Sequence, residues 1–263
     1  MSSFDEMYAD DPEVQRLVER VIDAGQRLPK ELRGEIVESN RRVGEALVAM
    51  ALDIGLASVD APGGGWAPIH AVRLLGERRQ LEAVEALVEI AATTEPDDLL
   101  HGAAIFALQK IGAPALGPIL AVVDEEPELA SRLAEVLATL EIRDGRIIDV
   151  LEAVVADDPQ LGASYVATYG DPAAIDVLRD ALEEVDAVDD ADLAAHQTII
   201  DLAVAIESLG GTLSAGQVER VRQAYAARER SAEALIEAAM DVDSSGEDDD
   251  QKRPASGSRG SRR

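Results

Sequence analysis

AVRLLGERRQLEAVEALVEIA, residues 71–91, is the stretch whose reading decides the fold. Apolar residues return every three or four positions up to Gly76, a short polar turn follows, and a second stretch of the same spacing begins. The phrase comes back along the chain. It reads ALQKIG then APALGPILAVV at 107–123, and YVATYG then DPAAIDVLRDALEEV at 165–185. A degenerate copy, EVLATLEIRDGRIIDVLEAVVA, fills 135–156 and has Glu141 where the glycine belongs. One helix pair cannot bury its apolar stripe alone, so copies stack. The spacing predicts an all-α protein, an α-solenoid of stacked antiparallel helix pairs. At Gly76 it predicts a helix end in the left-handed conformation.

Outward from this phrase, residues 12–25 read as a first helix capped by Asp11 and closed by Gly25. A second helix is predicted from Pro29 to Leu52. Residues 58–65, SVDAPGGG, read as a flexible joint, because three glycines resist ordering. The expected organisation is therefore an N-terminal helical segment at 1–57 packing on the repeats, a Gly-rich loop at 58–65, the repeat array at 66–240, and a charged tail at 241–263. The tail, DVDSSGEDDDQKRPASGSRGSRR, is almost without apolar residues and is expected to be disordered. The polar stretch 213–240 is expected to cap the array.

Composition narrows the function classes. The chain of 263 residues is 47% hydrophobic but only 3% aromatic, so its core is built from Ala, Leu, Val and Ile. It has no cysteine, which excludes disulfides and thiolate metal sites. No long uncharged apolar run and no basic, apolar leader are present, so a cytoplasmic protein without membrane contact is expected. The net charge is −28, with 52 acids against 24 cations. Such a charge repels phosphate and makes a nucleic-acid partner unfavourable. A halophilic source with a salt-rich cytoplasm accounts for the charge; an Arg-rich, GC-rich genome is the other reading.

The phrases AVRLLGERRQLEAVEALVEI, ALQKIGAPALGPIL and YGDPAAIDVLRDAL resemble HEAT repeats, in particular those of the phycobilisome-lyase type. The resemblance covers about 66–185 closely and 66–240 loosely, and implies a helical repeat fold. WAPIHAVRLLGERRQLEAVEALVEI is also similar to HEAT proteins with a SEC-C zinc tail, but the tail here, KRPASGSRGSRR, has no cysteine to ligate zinc.

In HEAT-like stacks the second helix of each pair usually lines the concave side. In the first repeat Leu81, Val84, Leu87 and Val88 form the apolar stripe, which turns Glu82, Glu85 and Glu89 outward. Asp149 and Glu152 do the same in the third repeat, and Asp176, Arg179, Asp180 and Glu183 in the fourth. These side chains form either an acidic surface for a basic partner or the solvated face of a protein that is acidic throughout. Trp66, the one tryptophan, reads as a core staple or a binding anchor, with His70 one turn on. His70, His101 and His196 lack metal-ligand spacing, and no metal or cofactor is expected. Nucleophile elbows and zinc-protease helices are absent from the sequence. The expected function is a non-catalytic protein-interaction module or scaffold. The alternatives are a lyase or maturation factor, implied by the phycobilisome-lyase resemblance, and a nucleic-acid-binding HEAT-like protein.

Overall fold

The computed structural model describes residues 11–246. Among the described residues there are thirteen α-helices, six short 3-10 turns and no strand. Helix α1 (Pro12–Ile22) is capped by Asp11, whose carboxylate accepts from the Val14 amide at 3.3 Å. The expected helix from Pro29 to Leu52 is two helices, α2 (Lys30–Val37) and α3 (Arg41–Ala51). Asn40 divides them, because its side chain accepts from the Val43 amide and starts a new helix there.

The remaining helices are α4 (Ala67–Glu77), α5 (Val84–Thr93), α6 (Leu99–Ile111), α7 (Leu116–Glu125), α8 (Ala130–Thr139), α9 (Gly145–Asp157), α10 (Pro159–Tyr169), α11 (Ile175–Glu184), α12 (Leu193–Ser208) and α13 (Ala215–Gly246). Short 3-10 turns lead into α5, α7, α8 and α11, three of them opened by a proline in the first turn. Helix α13 runs six residues past the expected boundary at Met240, because extending a formed helix costs little. The rest of the expected tail, 247–263, lies outside the described residues.

Packing follows the chain. Helix α3 packs on α4, and α1 on both. From there the first helices of the pairs pack on one another in order: α4 on α6, α6 on α8, α8 on α10, α10 on α12. Each second helix packs on the first helix of the next pair, α5 on α6, α7 on α8, α9 on α10 and α11 on α12, and α13 closes the series against α12. One buried apolar cluster runs from Val14 to Ala224. Among the described residues no single helix is long and apolar enough to cross a membrane.

Several junctions differ from the expectation. Helix α1 ends at Ile22 with Asp23 as its C-cap, so Gly25 does not close it. Gly76 is not a helix end: it lies inside α4 with ordinary helical backbone, and a Cβ there would stand 2.6 Å from the Ala107 Cα of α6. The left-handed residue of that turn is Arg79, with φ of 49°. Leu81 belongs to the 3-10 turn before α5 and is exposed, so the buried stripe begins at Val84. The glycine run is no flexible joint. Gly63 has φ of 72°, and a Cβ on it would meet the Ile22 carbonyl oxygen at 2.3 Å, so the run is a turn pressed onto the end of α1. Gly112 and Gly170 close α6 and α10 at positive φ, as the repeated phrase requires. In the third copy Leu140 leaves α8 in extended conformation instead, and Asp144 caps α9. The Arg146 guanidinium beside it holds the Asp144 carboxyl down to about 2.

Arginines tie these junctions together. Arg78 donates to the Ile36 carbonyl at the end of α2, to the Ser39 hydroxyl at 2.8 Å and to the Asn40 carbonyl at 2.9 Å. Arg132 donates to the Thr94 carbonyl after α5 at 2.6 Å, Arg143 to Tyr169 at the end of α10 at 2.7 Å, and Arg220 to Glu183 near the end of α11 at 3.2 Å. The last carbonyls of a helix have no partner within it and sit at the negative end of its dipole, so a guanidinium both fills and neutralises them.

Candidate interaction surface

The surface chemistry of the pairs divides by helix. The second helices α5, α7, α9 and α11 carry eleven acidic and two basic side chains. The first helices α4, α6, α8, α10 and α12 carry four acidic and three basic ones. On a chain of net charge −28, a nearly neutral row of helices is the anomaly. This division is present in the sequence. Counting acids over the whole chain hides it; sorting them by first and second helix brings it out.

On the first-helix row, α6 turns Leu99, Gly102 and Phe106 outward at spacings of three and four. Phe106 is 44% exposed, and the Lys110 ammonium stands 5.1 Å from its ring centroid. Farther along, a groove of about 510 Å³ runs between α10 and α12. Its walls are Ser164, Ala167, Val204 and Ala205, with Asp158 and Asp201 at the margin. Both carboxylates are engaged. Asp158 caps α10 by accepting from the Leu161 amide at 3.0 Å. Asp201 accepts from the side-chain amides of Gln160 at 2.8 Å and Gln197 at 2.6 Å. The groove therefore presents small side chains and the half-exposed Val204 along its walls, with the two amide-bonded carboxylates at its margin. Such a lining admits a closely approaching backbone and rewards apolar contact.

The residues singled out in the sequence fall elsewhere. Glu82, Glu85 and Glu89 are exposed beside or on α5, and Asp149 is exposed on α9 with Glu152 half-buried. Asp176 is exposed on α11. Between α5 and α9 stands α7, which turns Gly117 and Ala121 outward along its length and Asp124 and Glu125 at its C-terminal end, so the three groups are separate clusters within one acidic row. Glu82 is tied by the Gln80 amide at 2.7 Å. Arg179 and Glu183 hold the fold. Arg179 bridges Asp176 at 3.1 Å and donates to the Thr212 carbonyl at 2.9 Å; Glu183 accepts from the Gln217 amide at 3.3 Å.

Trp66 is half-buried at the start of α4, with its ring 6.3 Å from that of His70. His70 is 3% exposed, so it is no surface residue; its Nε2 donates to the Gly25 carbonyl at 2.8 Å and pins the end of the first segment to α4. Burial pushes its pKa below the usual imidazole value, against a smaller upward push from the Gly25 carbonyl. His101 and His196 are buried as well. Among the described residues no three His, Asp or Glu side chains converge as a metal site.

Comparison of this chain with protein-family models, with curated proteins and with solved structures finds no match.

Proposed function

We propose that this protein is a HEAT-like α-solenoid that serves as a non-catalytic protein-interaction module, and that the row of first helices is its docking face. One observation carries the reading: the first helices hold four acids and three cations, whereas the second helices hold eleven acids and two cations. A uniformly acidic coat for solubility would treat the two rows alike. Apolar and small side chains at Leu99, Phe106, Ala167 and Val204 occupy the neutral row. The partner that suits this face is a protein segment with a neutral or apolar helix, seated along α6 to α12. The acidic row repels anionic surfaces and keeps the complex dispersed. Nucleic acid suits neither row, and the arginines at the helix ends are engaged with carbonyls rather than free for phosphate.

The test is differential affinity purification from the native host in its own salt. Phe106→Glu and Val204→Arg should each strip the captured proteins from the bait by at least about thirtyfold, the loss that follows removal of an interface hot spot. Glu85→Gln with Glu89→Gln should leave the same set bound. Capture that survives both first-helix variants and disappears with the Gln pair would move the docking face to the acidic row.

A further inference from the structure

A second groove, of about 300 Å³, lies where α9 and α11 meet the start of α10. Val155, Ala156, Val177 and Ala181 give it an apolar lining, and Asp180 and Glu184 stand on its α11 wall, one turn apart. Both carboxylates are exposed, and among the described residues they join no ion pair and accept no hydrogen bond. The other acids of α11 are taken, Asp176 by Arg179 and Glu183 by Gln217. The groove between α10 and α12 differs in the same respect, since its two carboxylates already hold amide donors. An apolar trough with two unpaired carboxylates on one wall fits an arginine-bearing segment. The arginine stems lie along the valines and the guanidinium forks reach the carboxylates.

The chain carries such a segment. Residues 251–263, QKRPASGSRGSRR, hold five cations and no acid on a chain of net charge −28. Reach selects among these cations. Arg220 donates to the Glu183 carbonyl, so the start of α13 stands at the end of α11 where the groove lies. From Arg220 the helix runs on to Gly246, about 39 Å at 1.5 Å per residue. A chain spans at most about 3.3–3.6 Å per residue, so Lys252 and Arg253 can return only about 20–25 Å from Gly246, whereas Arg259 can return about 43–47 Å. Arg259, Arg262 and Arg263 are therefore the cations within reach of Asp180 and Glu184.

We propose that the groove between α9 and α11 is the docking site of the chain's own residues 259–263, with Asp180 and Glu184 holding two of the three arginines. Tethering supplies an effective concentration on the order of millimolar, which a separate basic segment must exceed to displace the tail. Two exposed arginine–carboxylate pairs give a salt-sensitive hold on the order of tenfold. This use of the acidic row is independent of the docking face on the first helices.

Cysteine trapping in the full chain reads the contact, since the chain has no cysteine of its own. Ala156 is exposed in the groove, and Ser261 lies between Arg259 and Arg262. The double variant Ala156→Cys with Ser261→Cys, dilute and in about 0.1 M KCl, where the Debye length is about 10 Å, should close a disulfide within one chain. Adding Asp180→Asn with Glu184→Gln should slow that closure about tenfold, while circular dichroism shows the fold unchanged. Transfer of the double variant to about 1 M KCl, where the Debye length is about 3 Å, should slow it likewise. Closure at one rate with and without the two carboxylates would overturn the proposal, because it would reflect chance encounters of a tethered thiol. Failure to close would overturn it too. Disulfides formed only between chains would also overturn it and would assign the groove to the tail of a second copy.

Discussion

Gly76 and Ala107 bring α4 and α6 together backbone to backbone: a Cβ on the glycine would lie 2.6 Å from the alanine Cα and 2.8 Å from its Cβ. Glycine puts no side chain between the two backbones, and alanine puts only a methyl group, so α4 and α6 approach closely at this point.

Gly76→Ala therefore destabilises the protein by about 1–3 kcal/mol through overpacking, and Gly76→Val by more. Gly64→Ala has open space around it but must hold φ of 71°, which costs on the order of 1 kcal/mol. Chemical denaturation should place Gly76→Val as the least stable, Gly76→Ala next and Gly64→Ala closest to the parent. A Gly76→Ala protein as stable as the parent would refute the close contact.

Stability rises with salt. Eleven acids on the second helices repel one another at low ionic strength, and molar KCl shortens the Debye length to about 3 Å. Thermal midpoints should climb with KCl. The climb should be shallower in a variant with Glu85, Glu89, Asp180 and Glu184 changed to their amides.

Arg78→Ala should cost about 1.5–3 kcal/mol, because it leaves the carbonyls of Ile36 and Asn40 without their charged donor. Arg78→Lys should recover only part of that, since one ammonium cannot reach both carbonyls and the Ser39 hydroxyl as the fork does. Urea midpoints for the two variants are the measurement.

Acid weakens the fold through His70. Its native pKa lies below the ordinary value of 6.5, because burial disfavours the charged ring. Below that value the unfolded chain takes the proton first, so stability is full above about pH 6.5 and falls as pH drops toward the native pKa. His70→Gln keeps an N–H donor for Gly25 and removes the proton. The slope of unfolding free energy between about pH 5 and 6.5 should be smaller in the variant than in the parent.

Much of the fold was legible because the repeat phrase states it: an apolar stripe, a glycine, a proline-bearing turn, a second stripe. Gly112 and Gly170 do what the phrase demands. Gly76 has the same place in the phrase and a different task, since a glycine that permits a left-handed turn and one that permits a close contact look alike in one dimension. Asn40 was overlooked inside a continuous apolar pattern because periodicity carries no mark for a break between two helices in phase. The candidate surface was less legible. Exposed carboxylates stood out singly, whereas the informative property was their distribution between two rows. The burial of His70 depends on Gly25, 45 residues earlier, and no local pattern carries that distance.

The arginine ties at Ile36, Thr94, Tyr169 and Glu183 join residues 42, 38, 26 and 37 apart, about the length of one helix pair. Nothing among them waits for a distant part of the chain. As the polypeptide leaves the ribosome, each new pair finds its docking partner already finished and can close its own joint before the next pair emerges. Low contact order of this kind favours rapid, stepwise assembly from the amino end.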